Sequence, residues 1–392
     1  MLSPDEIEVL AERARPVTEA LNTTIINKII ERLIARYERG EGFYLTRTDT
    51  LQASVMEDSG ELLKDIAREI EKTRLATYKV IYEAFKDGFK DSWEYDSRMY
   101  QMGGKEPRKP SERYLEILQR NYEKTSGEFL NMTGTAALDS SKLYRQTWDK
   151  AYFQSMTGAV SVQESFKDSI KELAGKQMEI VHYPSGHKDT LETAALRAIR
   201  TGIAQTAGDI AIKRMEEMGW DVVLVSAHFG ARPTHEKWQG KFYSLHGNTP
   251  GLPDFISSTG YGTVTGLCGA NCRHHFGVGV LGINPYEALN INTEESNKRY
   301  EETQKQRAYE RDIRRSKAEC INLKTALNAC KTQEDKDLIY PSYVSAAKRL
   351  KAKNARLEAY IKEHDLKPYP DRVYVQGWDR SQAASASAAA RK

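Results

Sequence analysis

The sequence lacks any uninterrupted run of about 18 apolar residues, the length a helix needs to cross a bilayer. A helical membrane protein is therefore excluded. Cysteine is scarce, with four in 392 residues. That is too few for a disulfide framework in a chain of this length and points to a reducing compartment, a cytoplasm, during synthesis. Net charge is also small: 58 basic against 55 acidic residues leaves +3. The molecule as a whole is not a generic polyanion binder, so any nucleic-acid contact must come from a local basic patch. The opening Met1-Leu2-Ser3-Pro4-Asp5-Glu6 turns acidic at once and does not read as a secretory signal. No internal repeat of about 20–50 residues is present.

What is present is helix-rich. Ser3 and Glu6 form a capping-box pattern with Pro4 at the first helical position. Val17, Leu21, Ile25, Ile29, Leu33 and Tyr37 recur every four residues up to Gly40, and Pro16 should kink or divide that helix. A second helix is expected from about Ser59 to Phe89. The stretch 102–110, with two glycines and two prolines, reads as a linker between two helical sets. Further helices should run from Ser111 to about Met132 and across 137–174, with Ser161 and Glu164 as another capping pair.

The character changes near Lys176. Residues 178–183 read as a short strand followed by a Pro184-Ser185-Gly186 turn, and a strong helix follows from about Asp189 to Met218. Asp221 to Ala227 is the best strand in the chain. Residues 228–282 are rich in glycine and aromatics, as small strands and ordered loops are. After Asn290 two long polar helices, from Glu294 to about Cys330 and from Glu334 to about His364, should form an antiparallel hairpin. The Ser/Ala tract at the end has nothing to bury and is expected to be disordered. The fold class is thus α+β, mainly α-helical. Its expected parts are a helical region 1–175, a compact α+β domain 176–290, a hairpin arm 291–380 and a tail 381–392.

One constellation has chemical content. Five of the eight histidines (His228, His235, His246, His274, His275) and two cysteines (Cys268, Cys272) fall between 228 and 275. Imidazole and thiolate are the preferred donors for tetrahedral zinc, and two donor pairs on distant loops can cross-link a small domain. The candidate ligands are four among His228, His235, Cys268, Cys272 and His274, holding a structural zinc ion. The plainer reading makes the cysteines small buried residues and the histidines hydrogen-bonded loop residues. A catalytic zinc would need an open position and a general base; Glu236 is the obvious carboxylate within the cluster. Arg232 and Arg273 beside the ligands should knit the loops together, while Trp238, Gly240 and Asn271 read as structural.

Two basic helical stretches, one with Arg311, Arg314 and Arg315 and one with Lys348, Arg349 and Lys351, are solvated faces or contacts to DNA phosphates.

The run His228-x3-Arg232-Pro233-x-His235-x2-Trp238-Gln239-Gly240-Lys241, then Pro253-Asp254-Phe255, Thr259-Gly260-Tyr261-Gly262 and Gly269-x-Asn271-Cys272-Arg273-His274, resembles the phage minor capsid protein 2 family. Tyr183 to Gly186, the helix with Arg197, Arg200 and Thr201, and a late arm with Tyr300, Arg307 and Glu310 agree with it. The family is itself similar to MuF-like head-morphogenesis proteins, whose signature places two cysteines before a Gly-Lys turn and a His-x2-Asn-Cys-Arg-Cys run after it. Aligned on Gly240-Lys241 and Asn271-Cys272-Arg273, His235 replaces the second cysteine and His274 the last. Arg232 stands where the upstream cysteine would be, with His228 as a more distant substitute.

The resemblance implies a non-enzymatic virion protein inside the phage head, present in few copies. Its implied partners are the portal protein, the major capsid protein and packaged double-stranded DNA, with no membrane. The alternative from another class is a metal-dependent nuclease or hydrolase built on His228, His235, Glu236 and Cys272.

Overall fold

The structure, a computed structural model, describes residues 1–40, 48–184, 186 and 188–392. Ser185 of the expected turn lies outside them. In chain order the elements are α1 (Pro4–Glu12), α2 (Arg15–Glu38), α3 (Thr48–Met102), α4 (Glu112–Met156), α5 (Val162–Ala174), β1 (Glu179–His182) and β2 (Lys188–Thr190). They continue with α6 (Leu191–Met218), β3 (Val222–Val225), β4 (Phe242–Ser244), α7 (Phe255–Thr259), β5 (Phe276–Val278), α8 (Thr293–Ala329), α9 (Gln333–Glu363) and α10 (Arg380–Ala389). Among the described residues the protein is mainly helical with two small antiparallel sheets, β1-β2 and β4-β3-β5. No helix among the described residues is long and apolar enough to cross a membrane.

Local signals explain several ends. The Ser3 hydroxyl accepts the Glu6 N–H and the Glu6 carboxylate accepts the Ser3 N–H, closing the capping box of α1. Pro16 sits in the first turn of α2, where its missing N–H costs nothing, so the chain breaks at residues 13–14. Ser161 caps α5 and Thr332 caps α9. The helices expected over 59–89 and 111–132 are longer, because their apolar stripes continue past the glycines and polar residues that suggested ends.

Contacts divide the chain into two compact units. The first gathers Met1–Arg15, Ala76–Leu130 and Thr193–Gln304; the second gathers Pro16–Leu75, Asn131–Glu192 and Lys305–Lys392. The β1-β2 ribbon falls in the second unit and the three-stranded sheet in the first, so residues 176–290 are distributed between the two. The composition change at Lys176 marks a change of backbone type and not an edge of packing.

In the first unit, β3 is the central strand: Val223 lies opposite Tyr243 on one side and Val278 on the other. Consecutive residues Val223, Leu224 and Val225 are all fully buried, so both faces of the strand are covered, which accounts for its continuous apolar run. The stretch 102–110, read as a linker, lies from Gly103 onward in the connection between α3 and α4, residues 103–111, which packs tightly within this unit. Lys105 Nζ donates to the Met218 carbonyl at 2.6 Å, and a Cβ at Gly103 would lie 2.2 Å from the Trp220 ring. Buried Arg214 stacks 3.7 Å over Trp93 and donates to Ser97 Oγ, and the Asp96 carboxylate accepts the Val278 N–H at 3.0 Å.

In the second unit, α8 and α9 run antiparallel. Tyr309 meets Tyr360, Ser316 accepts Lys353, Glu319 pairs with Arg349 and Lys324 lies over Tyr343. Arg36 is buried against Trp148 and pairs with Asp58 at 2.6 Å. The Ser/Ala tract, expected to be disordered, is a helix. Asp379 caps it by accepting the Gln382 N–H, and Ala386 and Ala389 are buried, with Ser385 accepting from Tyr343 on α9. Alanine is the strongest helix former, and small side chains allow close approach to a neighbouring helix; composition alone does not show that surface.

Candidate metal centre

Two loops of the first unit meet because one leaves β3 and the other enters β5, the strand paired with it. The loop after β3 returns to that strand: Gly240 N–H donates to the Val225 carbonyl and Val225 N–H to the Lys241 carbonyl, both at 3.1 Å. Gly240 has φ +66°, and an added Cβ would lie 3.2 Å from Ala227 Cβ, so this return suits glycine. Within it, Pro233–His235 is a single 3-10 turn that carries His235 inward. The second loop follows α7 and leads into β5. It is pinned to the first by Ser226 N–H donating to the His275 carbonyl at 2.8 Å and His275 N–H donating to Ser226 Oγ at 2.9 Å. Cys268 and Asn271 both adopt positive φ, 57° and 58°, which folds the segment 268–272 tightly and turns Cys272 toward His235.

The result is a convergence of His235, Cys272 and His274, whose donor atoms all lie within 4.8 Å of one another. Cys272 Sγ is 3.7 Å from His235 Nδ1 and 4.0 Å from His274 Nδ1. A thiolate and an imidazole on one tetrahedral zinc ion stand roughly 3.5 Å apart, given ordinary Zn–S and Zn–N lengths. Trp238 walls the cluster, its ring 4.7 Å from that of His235 and 4.9 Å from that of His274. His235, Cys272 and His274 are each no more than 2% exposed.

The tautomer of His274 follows from its neighbours. Gln239 Oε1 accepts the His228 backbone N–H at 3.1 Å, which can only donate, so the amide oxygen faces this side. The same oxygen lies 3.1 Å from His274 Nε2. Nε2 therefore carries the proton, and Nδ1 turns its lone pair toward Cys272. A metal-binding histidine commonly donates its other ring N–H to a carbonyl or carboxylate in this way. Gln239 had no assigned role in the sequence reading, although it lies within the quoted motif. The signal was an amide side chain between a candidate ligand and the Gly240 turn.

Burial holds the imidazoles neutral. His235 and His228 are pushed down to about 4, and His274 well below its ordinary value. Burial also raises the thiols of Cys272 and, more strongly, Cys268. Against it, backbone N–H groups and the Arg232 charge favour the Cys272 thiolate. Neutral imidazoles are ready ligands, and a metal ion would displace the thiol proton. Donor types, spacing and tautomer all fit a metal such as zinc.

The other two candidate ligands flank the triad. Cys268 directs its thiol at the His274 carbonyl, 3.7 Å away. The His228 ring lies 4.5 Å from that of His274, with its Nδ1 3.2 Å from the Phe229 carbonyl. His246 is exposed, and His275 is buried elsewhere, with Nε2 3.2 Å from the Ala204 carbonyl. Arg273 pairs with Glu8 of α1 at 3.2 Å, tying that helix to the second loop.

Of the basic candidates in the second unit, Arg314 is corrected. It is 5% exposed and paired with Glu19 at 2.6 Å and Glu192 at 2.7 Å, so it stitches helices together and is out of reach of phosphate. Arg349 is paired with Glu319, and Arg315 donates to Gln177. Arg311, Lys348 and Lys351 are exposed.

The family model for phage minor capsid protein 2 matches residues 2–362. A protein of Lactococcus phage LL-H named "Structural protein" is 23% identical over 272 residues, covering 66% of this chain and 73% of its own length. No solved structure matches. With its family's profile running across nearly the whole sequence, the chain belongs to the phage minor capsid protein 2 family.

Proposed function

We propose that the protein is a structural component of the phage head, held inside the virion near the portal, and that a zinc ion on His235, Cys272 and His274 braces its first unit. The observation that carries the brace is the meeting of two loops, 37 residues apart at His235 and Cys272, on one buried donor set. The family membership supports the head. Zinc would supply a cross-link between the loops. His235 and His274 enter it neutral, Gln239 holds His274 in the receptive tautomer, and Trp238 keeps water away.

The burial of the triad favours this over hydrolysis. A catalytic zinc keeps a coordination position open to water beside a general base, whereas these three donors are each no more than 2% exposed; a closed structural site takes a fourth ligand, for which His228 and Cys268 flank the triad. The partners in this reading are the portal protein and the major capsid protein, contacted through the long helices. Contacts to packaged DNA would come from Arg311, Arg315, Lys348 and Lys351.

Mass spectrometry of purified particles before and after genome release tests the location. The expected result is a few copies per head in full particles; absence from full particles would contradict a virion role. Filter binding of duplex DNA across a salt series tests the DNA contact. Affinity should fall steeply with salt, and no binding at low salt would remove DNA from the list of partners.

A further inference from the structure

The first unit also carries an open groove of about 610 Å³ between α4 and α6. The two helices run antiparallel there: Tyr114 OH donates to the Glu217 carboxylate near one end, and Asn121 Nδ2 donates to Asp209 at 2.9 Å near the other. Residues three or four apart share one helix face. On that rule α4 lines the groove with Arg113, Glu116 and Arg120, in the order basic, acidic, basic. In the same register α6 sets Glu216, Lys213 and Asp209 opposite them, in the order acidic, basic, acidic. Half-buried Ile117 and Ile212 add an apolar strip. The six charges cancel, so the groove favours neither a simple anion nor a simple cation. Nor do its rims close on each other. Lys213 pairs with Glu216 along its own helix at 3.0 Å, and Arg113 pairs at 3.6 Å with Glu217, outside the lining. No ion pair among the described residues includes Glu116 or Arg120, both exposed, and Asp209 accepts from the neutral donors Asn121 and Tyr261.

We propose that this groove seats a second copy of the chain, related by a two-fold axis that runs along it. Such an axis lays α4 of one copy over α6 of the other and keeps the order along the groove. Arg113 then faces the partner's Glu216, Glu116 the partner's Lys213 and Arg120 the partner's Asp209. Each contact occurs twice, as an isologous interface requires, and Ile117 meets the partner's Ile212. A two-fold axis across the groove would instead set Arg113 on the partner's Arg120 and Asp209 on the partner's Glu216, like charge on like. The charge order therefore selects one arrangement and its register. The lining covers two helical turns, about 10 Å, so the dimer should be weak and sensitive to salt. It stands on this groove alone and is independent of the metal centre and of the head location.

The test is sedimentation velocity of the full chain in a concentration series up to about 100 µM, where a micromolar dimer is mostly formed. The mass should rise from 44.5 kDa toward twice that value and stop there. Raising salt from about 0.05 M to about 0.5 M should weaken the association several-fold. Glu116→Lys sets a lysine against the partner's Lys213, and Lys213→Glu sets a glutamate against the partner's Glu116. Each should weaken the dimer about tenfold or more. Combining the two exchanges the signs and should restore the association to within about threefold of the original. Arg120→Glu, facing the partner's Asp209, should weaken it as the single swaps do. Circular dichroism establishes that each variant is folded; where a swap variant is not, Arg120→Glu decides. A mass of one chain at every concentration, a mass that climbs past two chains, a dimer indifferent to the folded single variants, or a folded double variant that stays monomeric would overturn the proposal.

Discussion

The loop module of residues 226–282 and the helical hairpin α8-α9 each contain two of the four cysteines, and they treat them differently. In the hairpin, Cys320 and Cys330 are buried thiols raised to about 12 by desolvation. In the loops, Cys272 is also buried and raised, but two imidazole nitrogens lie within about 4 Å of its sulfur. A hairpin has continuous apolar stripes to bury, so a cysteine there is one small core residue among many. Irregular loops have short strands and little continuous stripe, and they gain order from specific polar cross-links. Burial by itself does not distinguish a core thiol from a ligand; the neighbours do.

Cys272→Ser should break this contrast most strongly. Removing the thiolate should abolish stoichiometric metal binding and cost more than about 3 kcal/mol of folding stability. Metal analysis with denaturant unfolding reads both, and retained metal with unchanged stability would count against the brace. Arg314→Ala tests the second unit's own cross-link. It removes the guanidinium that Glu19, buried, and Glu192, half-buried, share, at a cost of about 3 kcal/mol. Unfolding should shift without any change in metal content.

Gln239→Ala removes the acceptor that fixes the His274 tautomer. Metal affinity should fall about 10-fold to 100-fold, with the fold intact. A chelator competition would show it, and unchanged affinity would mean the tautomer is fixed some other way. In metal-free protein, the His235 and His228 values near 4 lie below the ordinary 6.5. The folded state then binds fewer protons than the unfolded one. Stability should be level above pH 6.5 and should decline as pH falls from 6.5 toward 4. Thermal melts across that window check the sign, and a melting temperature that rises on acidification would contradict it. Cys320→Ala is the smallest change, about 1–2 kcal/mol for a filled thiol site, with metal content untouched.

Much of this was legible from residue order. Spacing and caps located nearly every helix, and the β-branched run at 222–225 marked the central strand. The histidines and cysteines were recognisable as donors by type. Their selection was not: His228 and Cys268 are as close in sequence as the ligands that converge, and only the positive φ at Cys268 and Asn271 decides which thiol faces inward. Arg314 looked like its neighbours Arg311 and Arg315, because helical position relative to α2 is invisible in a local charge pattern. The tail was misread from composition, since alanine that covers a helix and alanine in a disordered tract look alike.

The brace is tested most directly by metal analysis of the purified full chain, grown with zinc, followed by melting with and without chelator. About one zinc per chain and a lower melting temperature after chelation are predicted. A chain that carries no metal and melts identically in chelator would contradict the account.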